Sequence, residues 1–408
     1  MKKLSTAAVL ALSAAISNAN AAGYQLNEFS VTNLGRAFAG IGVAGDDYSA
    51  LAYNPAGMTL VKRSGMQAGL TMTEVASKIR GVGNTAGQKT DMDFMIPLPS
   101  AFGQYNVNDK LFLGAGIYVP FGLATRYKND SFVANGATGV RRSELEVIDT
   151  NLSAAYKLDN HLSLGVSGVL RHIEGSLTSN TKVGTLPAYS DFKVSGWTTT
   201  LNLGAMYEFN EDSRIGLSYR FKSTQRTTGN HDITVYTPMG ELMNRYDSVS
   251  EPELPASWIL SGYHKFSEKW GTTATIKYTQ WHRFYVFPAS SNNPIKPSLD
   301  VDYRWKDAWN FALGQDYYLD ENWTLRAGLA WDQSPVPNSN YRTNRIPDTD
   351  RLWTSFGVSY ATGNHQFDLG YAHLFMMHGK VWNSPEHDAN AKYKSYSNMY
   401  ALQYQYKF

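Results

Sequence analysis

The sequence predicts an all-β fold: a transmembrane antiparallel β-barrel of about 14 strands with a small N-terminal hatch inside its lumen. Three observations predict it. Apolar side chains alternate with polar or small ones at period two along runs of roughly ten residues. Asp, Asn and Gly turns close pairs of such runs, and longer polar segments join one pair to the next. No run of about 18 apolar residues follows the N-terminal stretch, so no membrane helix is available. A mean hydropathy of −0.36 still suits a membrane barrel, because only one face of each strand meets lipid.

The chain begins Met1-Lys2-Lys3, continues with an apolar run from Leu4 to Ile16, and reaches Ala19-Asn20-Ala21. A positive start, a short apolar stretch and an A-x-A site specify a secretory signal peptide over 1–21, with the mature chain starting at Ala22. Residues 22–63 do not alternate. Gly35, Gly40, Gly42 and Gly45 stand among alanines and acidic residues, a helical turn is expected within Asn33 to Phe38, and Asn54-Pro55 forces a turn. A compact stretch of about forty residues ahead of the first strand suits a hatch, or plug, within the lumen.

The barrel pattern occupies 64–408. Leu152, Ala154, Tyr156 and Leu158 share one face, and Asp159-Asn160 makes a turn. Leu162, Leu164, Val166, Gly168 and Leu170 follow, with Ser163, Gly165, Ser167 and Arg171 opposite. The unit recurs at Leu201 to Phe209 and Ile215 to Phe221, at Phe311 to Leu319 and Trp323 to Trp331, and at Phe356 to Tyr360 and Phe367 to Tyr371. The chain ends on Tyr400, Leu402, Tyr404, Tyr406 and Phe408 in strict alternation. Tyr156, Phe209, Phe266, Trp270 and Trp323 lie beside short turns, where an interfacial girdle belongs. Long polar segments fall near 77–96, 123–142, 177–192, 229–249, 288–298, 333–350 and 382–392. Seven such loops imply about fourteen strands, with both termini periplasmic.

One run is interrupted. Leu111, Leu113, Ala115, Ile117 and Val119 share a face, and then come Pro120, Phe121 and Gly122. Proline cannot donate to a ladder, and glycine permits a sharp bend. Either the strand kinks and opens a gap in the wall, or it ends there and a loop begins. Spacing alone favours the second.

Composition excludes several functions. The chain has 408 residues, and Lys+Arg 37 against Asp+Glu 35 gives a formal charge of +2, so no basic field exists to hold nucleic acid. With Cys 0 there is no disulfide, thiolate or iron–sulfur chemistry. Its 9 His are scattered, and neither a G-x-S-x-G elbow nor a G-x-x-x-x-G-K-[ST] loop occurs. No catalytic residue, metal or cofactor is expected; the chain reads as a non-enzyme driven by a ligand gradient. By parity Arg171, Arg220, Lys222, Lys277 and Arg326 face the lumen. Each is a candidate contact for a carboxylate head group, although pairing with a lumenal acid is the ordinary use of such a residue. Asp348, Asp350 and Arg351 read as a structural ion network.

Several motifs carry a resemblance. The stretch Ala22-Gly23-Tyr24-Gln25-Leu26-Asn27-Glu28-Phe29, then Leu34-Gly35-Arg36-Ala37 and Asn54-Pro55-Ala56, resembles the FadL-type long-chain fatty acid transporters. So do Gly122-Leu123-Ala124-Thr125, Leu254-Pro255-Ala256-Ser257-Trp258 and Lys306-Asp307-Ala308, and above all Ser334-Pro335-Val336-Pro337 with Ile346-Pro347-Asp348-Thr349-Asp350-Arg351-Leu352-Trp353. Each motif alone is weak; their order and combination over the whole mature chain are specific. The resemblance implies a fourteen-stranded barrel with a hatch of about forty residues. It further implies an extracellular groove, then a tighter apolar pocket near Tyr24, Leu26 and Phe29, and a lateral exit at the Pro120, Phe121 and Gly122 kink. Asn54, Pro55 and Ala56 would belong to the hatch, with Asn54 near the gap. One departure is the third extracellular loop, for which only about 177–192 is available, so the groove is expected to be reduced or differently built.

The implied function is passive uptake of long-chain fatty acids, each buried methylene contributing about 0.8 kcal/mol. Some members of that family carry aromatic hydrocarbons, which is the first alternative. A general aqueous porin is the second, and it would have no use for residues 22–63. The expected setting is the outer membrane of a Gram-negative bacterium. The expected partners are the hydrophobic ligand and the surrounding lipids and lipopolysaccharide, with no nucleic acid and a monomeric barrel.

Overall fold

Outward apolar residues alternate with mostly polar or small inward ones along the spanning strands, and the sheet they form closes on itself. The computed structural model describes residues 23–135, 139–284, 286–287, 289–294, 300–386 and 388–408; the expected signal peptide and Ala22 lie outside them. The spanning strands are β1 (Gly65–Gly81), β2 (Lys89–Asn106), β3 (Leu111–Arg126), β4 (Val140–Lys157), β5 (Leu162–Val183), β6 (Leu186–Asn210) and β7 (Ser213–Arg220). They continue as β8 (Ser257–Ser267), β9 (Trp270–Thr279), β10 (Ala308–Tyr318), β11 (Trp323–Asp332), β12 (Arg351–Thr362), β13 (His365–Met376) and β14 (Ala391–Lys407). This is a closed 14-strand antiparallel barrel. Closure is made by β14 on β1, in register from Gly65↔Lys407 to Gly81↔Ala391, which removes the open edge that a bilayer would not tolerate.

The outward faces carry Leu164, Val166, Leu170, Leu201, Leu203, Leu217 and Leu369, all exposed. Two aromatic girdles bound them. On β8, Phe266 lies beside the short turn and Trp258 toward the other end, where its ring meets Tyr219 at 4.3 Å. Eight residues of strand span about 26 Å, or roughly 20 Å after tilt, which approaches the thickness of an apolar band.

Several segments expected to be loops are strand. The stretches 77–96 and 177–192 belong largely to the β1–β2 and β5–β6 hairpins, the second closed by a tight turn at Gly184. Both faces of these extensions meet water, so the ladder persists where apolar alternation fades. The segment 229–249 is a further hairpin, Thr227–Thr237 with Gly240–Ser250. It pairs with the upper part of β6 from Ala188↔Val235 to Ser195↔Thr228, whereas the lower part pairs with β7 from Asn202↔Arg220. The sheet therefore forks at β6.

The chain from Gly23 to Val61 lies against the lumenal face, and nearly all of it is buried. Its helical turn is α1 (Val31–Leu34), slightly earlier than expected, because the Ser30 side chain caps it by accepting from Asn33 N–H. A second turn, α2 (Ala50–Tyr53), leads into a 3₁₀ turn at Pro55–Leu60. The anchor to the wall is ionic. Arg36 pairs with Asp316 of β10 at 2.6 Å and with Asp46, and Arg326 of β11 reaches Asp46 at 2.9 Å. Gly328 makes room: a Cβ there would lie 2.1 Å from the Arg36 backbone.

Candidate functional site

β3 does not end at Pro120. It bends, shifts register against β4 between Tyr118 and Phe121, and continues to Arg126. The bend changes what each edge and face meets. β2 and β3 pair only from Asn106↔Phe112 to Ala101↔Ile117. Beyond that point β2 keeps β1 as its neighbour, and the facing edge of β3 is taken by the N-terminal segment. Leu26 N–H donates to the Pro120 carbonyl at 2.8 Å, Gly122 N–H donates to the Tyr24 carbonyl at 2.9 Å, and Gln25 bridges to Phe121. Val119, on the lipid side by simple alternation, is only 2% exposed and packs with Leu26, Val75, Ile96 and Leu98. Pro97 and Pro99 fall on the part of β2 that has lost β3, where a missing N–H costs the ladder nothing. They were a second sequence signal for the gap, hidden within a stretch read partly as loop.

The gap has two sides. On the lipid side an open pocket of about 900 Å³, lined by Met66, Ala101, Ala115, Ile117 and Leu170, borders the last paired residues of β2 and β3. On the lumenal side Phe29 stands behind the seam, stacked on Tyr53 at 4.4 Å and close to Tyr118 at 4.5 Å, with Phe102 completing the cluster.

Above the seam lies a narrow apolar cavity of about 40 Å³, lined by Leu123, Leu145, Leu177, Phe192, Val194 and Ile346 among others, with Tyr24 at one wall. Tyr24 is held edge-on by Trp281 at 4.7 Å and Phe284 at 5.3 Å, with Trp305 at 5.7 Å and Phe121 at 6.1 Å. Among the described residues the Tyr24 hydroxyl and the indole N–H groups of Trp281 and Trp305 have no hydrogen-bond partner. The N-terminal strand Tyr24–Leu26 thus separates this cavity from the seam cluster. Asp348 fixes its start by accepting from Gly23 N–H at 3.1 Å, and Asp348 also pairs with Arg351, as expected of a structural network.

The expected site residues separate into groups. Tyr24, Leu26, Phe29, Pro120, Phe121 and Gly122 come together at the kink. Asn54, Pro55 and Ala56 do not. Asn54 donates to the Ala205 carbonyl of β6 at 3.1 Å, three strands round the wall from β3. A Cβ on Gly204 would lie 2.0 Å from its Oδ1, so glycine in the wall, and not the gap, decides where this turn seats.

The cations divide too. Arg171 pairs with Asp149 at 2.7 Å and lies over the Phe121 ring at 5.1 Å; Arg326 belongs to the Asp46–Asp316 network. Arg220 donates to the Ala52 carbonyl at 3.0 Å, and Lys277 to Asn27 Oδ1 at 3.1 Å. Lys222 is exposed and pairs with Glu253 at 2.8 Å, since β7 ends at Arg220 and parity fails beyond it. The cation lining the apolar cavity is Arg345, in the 333–350 loop, paired with Glu386 at 2.8 Å. Periodicity could not reach a loop residue; only its place beside Ile346-Pro347 hinted at it.

Glu28 is a buried acid within the N-terminal segment. One oxygen accepts from Asn27 N–H at 2.5 Å and the other has no partner among the described residues. Burial pushes its carboxyl up to about 7, outweighing the Asn27 and Glu28 backbone N–H groups and the positive fields of Lys277 and Arg351.

The family of outer membrane transport proteins (OMPP1/FadL/TodX) matches residues 12–408 of the chain. The long-chain fatty acid transport protein of Escherichia coli strain K12 is 30% identical over 94% of this chain and 95% of that protein. Outer membrane protein P1 of Haemophilus influenzae is 31% identical over 99% of this chain and 98% of its own length. Among solved structures, a Pseudomonas aeruginosa FadL homologue superimposes with a TM-score of 0.85 at 21% identity, over 95% of this chain and 100% of that one. The Pseudomonas putida toluene transporter TodX superimposes with 0.73 at 20% identity, over 95% and 100%.

Proposed function

Because the chain belongs to the outer membrane transport protein family (OMPP1/FadL/TodX), a family of outer-membrane barrels that carry hydrophobic ligands, we propose that it takes up long-chain fatty acids passively and releases them sideways through the β2–β3 seam. The carrying observation is the exchange of partners at the kink. β3 leaves β2 above Ile117 and accepts the backbone of Tyr24–Leu26 instead. A segment held by a few backbone bonds is far easier to displace than a continuous ladder.

In this reading residues 22–63 are a hatch, and residues 1–21 a signal peptide removed before folding. An acyl chain enters the cavity beneath Arg345 and gains about 0.8 kcal/mol for each methylene it buries. It then competes with Tyr24 for the aromatic box, and release of residues 24–26 joins the cavity to the seam. The step is a shift in population, without an energised stroke. Head-group candidates are Arg345 at the cavity and, deeper, Arg220 and Lys277, which donate to the Ala52 carbonyl and to Asn27 Oδ1. A filled lumen argues against a general aqueous porin.

The aromatic box favours a second reading, uptake of monoaromatic hydrocarbons. Rings stack edge-on without needing a cation, and relatives of this fold include a toluene transporter. Uptake of radiolabelled oleate and radiolabelled toluene by cells lacking their own transporter separates the two. Saturable oleate uptake that toluene does not compete supports the fatty acid reading. Toluene uptake alone assigns the second, and ion conductance without either returns the porin.

A further inference from the structure

Above the upper girdle, the outward face of β3 to β6 changes character. Alternation fixes which face this is. Phe192 and Val194 turn inward to line the apolar cavity, so Asp191, Lys193 and the exposed Trp197 turn outward. Lys193 stands four residues beyond Trp197, about 13 Å along the strand. Arg126 and Arg142 are direct cross-strand partners on this face, with Arg141 beside them at the irregularity between Val140 and Arg142. These four cations line one cleft of about 330 Å³, together with Tyr189 and Thr178.

Among the described residues two carboxylates lie within ion-pair distance of these cations, and Glu146 and Glu174 line the adjoining cleft beside Lys193 and Glu144. Glu144 lies between Arg126 at 2.8 Å and Arg142 at 3.1 Å, and Asp191 takes Lys193 at 2.8 Å. Among the described residues Arg141 meets no carboxylate at ion-pair distance; its guanidinium lies 4.9 Å from the Tyr189 ring centre. Like charges directly opposite one another destabilise a sheet; Arg126 and Arg142 share the one carboxylate of Glu144, so a bound anion would relieve the repulsion that this single charge leaves.

We propose that this cleft binds the phosphoryl groups of lipopolysaccharide in the surrounding outer leaflet. Position selects the source of the phosphate. The cleft opens sideways on the lipid-facing side of the wall, at the height where head groups begin, and away from the lumen. Guanidinium groups offer paired donors that match phosphate oxygens. The site is independent of what the lumen carries and sits on the strands that border the seam, so a bound glycolipid would also brace the wall beside it.

The test is retention of lipopolysaccharide by barrels purified from the same membranes in a non-ionic detergent, read by native mass spectrometry. The variants are Arg142→Gln alone and the triple Arg141→Gln, Arg142→Gln, Lys193→Gln. A control triple, Lys110→Gln, Lys265→Gln, Lys269→Gln, makes the same charge change at the other end of the barrel. Heat-modifiable gel mobility checks folding. The cleft triple retains less by roughly tenfold or more, Arg142→Gln falls between it and wild type, and the control triple is unchanged. Wild-type protein stripped of lipid rebinds phosphorylated lipid A but not its dephosphorylated form. Equal retention by the cleft triple, or equal binding of dephosphorylated lipid A, overturns the proposal. Full displacement by millimolar inorganic phosphate would make it a free-anion site and overturn the lipid assignment.

Discussion

Leu26 donates its backbone N–H to the carbonyl of Pro120 at 2.8 Å, at the point where β3 has lost β2. If that bond and its neighbour close the wall, a straight third strand should seal it permanently. Pro120→Val with Gly122→Val supplies a donor and extended backbone, and a side chain at 122 would press on Leu26, whose Cδ1 lies 3.1 Å from a Cβ built there. The folded double variant is expected to lose oleate uptake by roughly an order of magnitude or more. Undiminished uptake at equal surface level would remove the seam from the route.

Tyr24 separates a packing role from a polar one. Tyr24→Phe keeps the ring and removes a buried hydroxyl with no partner among the described residues, so it should leave the segment as firmly seated or slightly firmer. Tyr24→Ala empties the aromatic box and should loosen the segment by roughly 3 kcal/mol or more. Hydrogen exchange of Tyr24–Phe29 reads both. Similar protection in the two variants would mean that the box does not hold the segment.

Glu28 should make the seating of the N-terminal segment depend on pH. Burial raises its carboxyl from 4.5 to about 7, so the folded state favours the protonated form. The contribution is therefore complete below about pH 4.5 and is lost as pH rises to about 7. Its size is on the order of 3 kcal/mol. Corrected for the intrinsic rise of exchange with pH, the segment should be better protected at pH 5.5 than at pH 8, and Glu28→Gln should flatten that profile at the better protected level. A Glu28→Gln profile matching wild type would place the titration elsewhere.

The ionic anchor should fail asymmetrically. Asp316→Ala leaves the buried Arg36 and Arg326 sharing only Asp46. The expected loss is about 3 kcal/mol or more, seen as a lower urea midpoint for the barrel in detergent micelles. A double change that also replaces Arg36 with Met should recover part of it, because the stranded charge is removed. No shift in midpoint for Asp316→Ala would show that the network contributes nothing net.

What the sequence made legible follows from where two solvents meet. Within the bilayer, lipid outside and a polar lumen inside force alternation, so runs such as Leu201 to Phe209 and the turns after them were legible as hairpins. Above it water lies on both faces, and the extensions of β5 and β6 looked like loop. Parity placed Arg171, Lys277 and Arg326 in the lumen and misplaced Lys222, because β7 stops two residues earlier. The pocket was harder still. Trp281, Phe284, Trp305 and Arg345 come from connections between strands, where no period operates. Asn54 is seated by close approach to Gly204, which leaves no trace in spacing. The kink itself was visible as Pro120 and Gly122, but only the register shift at Tyr118/Phe121 shows that the strand resumes.

The central claim, that residues 24–26 must leave β3 for ligand to pass, has a reversible test. The chain has Cys 0, so two introduced cysteines can form only one intramolecular bridge. Gln25 and Phe121 face each other across a bridge whose flanking bonds run from Leu26 to Pro120 and from Gly122 to Tyr24. That is a non-hydrogen-bonded pair, with a Cα separation of about 4.5 Å that suits a disulfide. Oleate uptake by Gln25→Cys with Phe121→Cys should be blocked when the bridge is formed and return when it is reduced. Equal uptake in both states, with the bridge formed completely, would contradict the account.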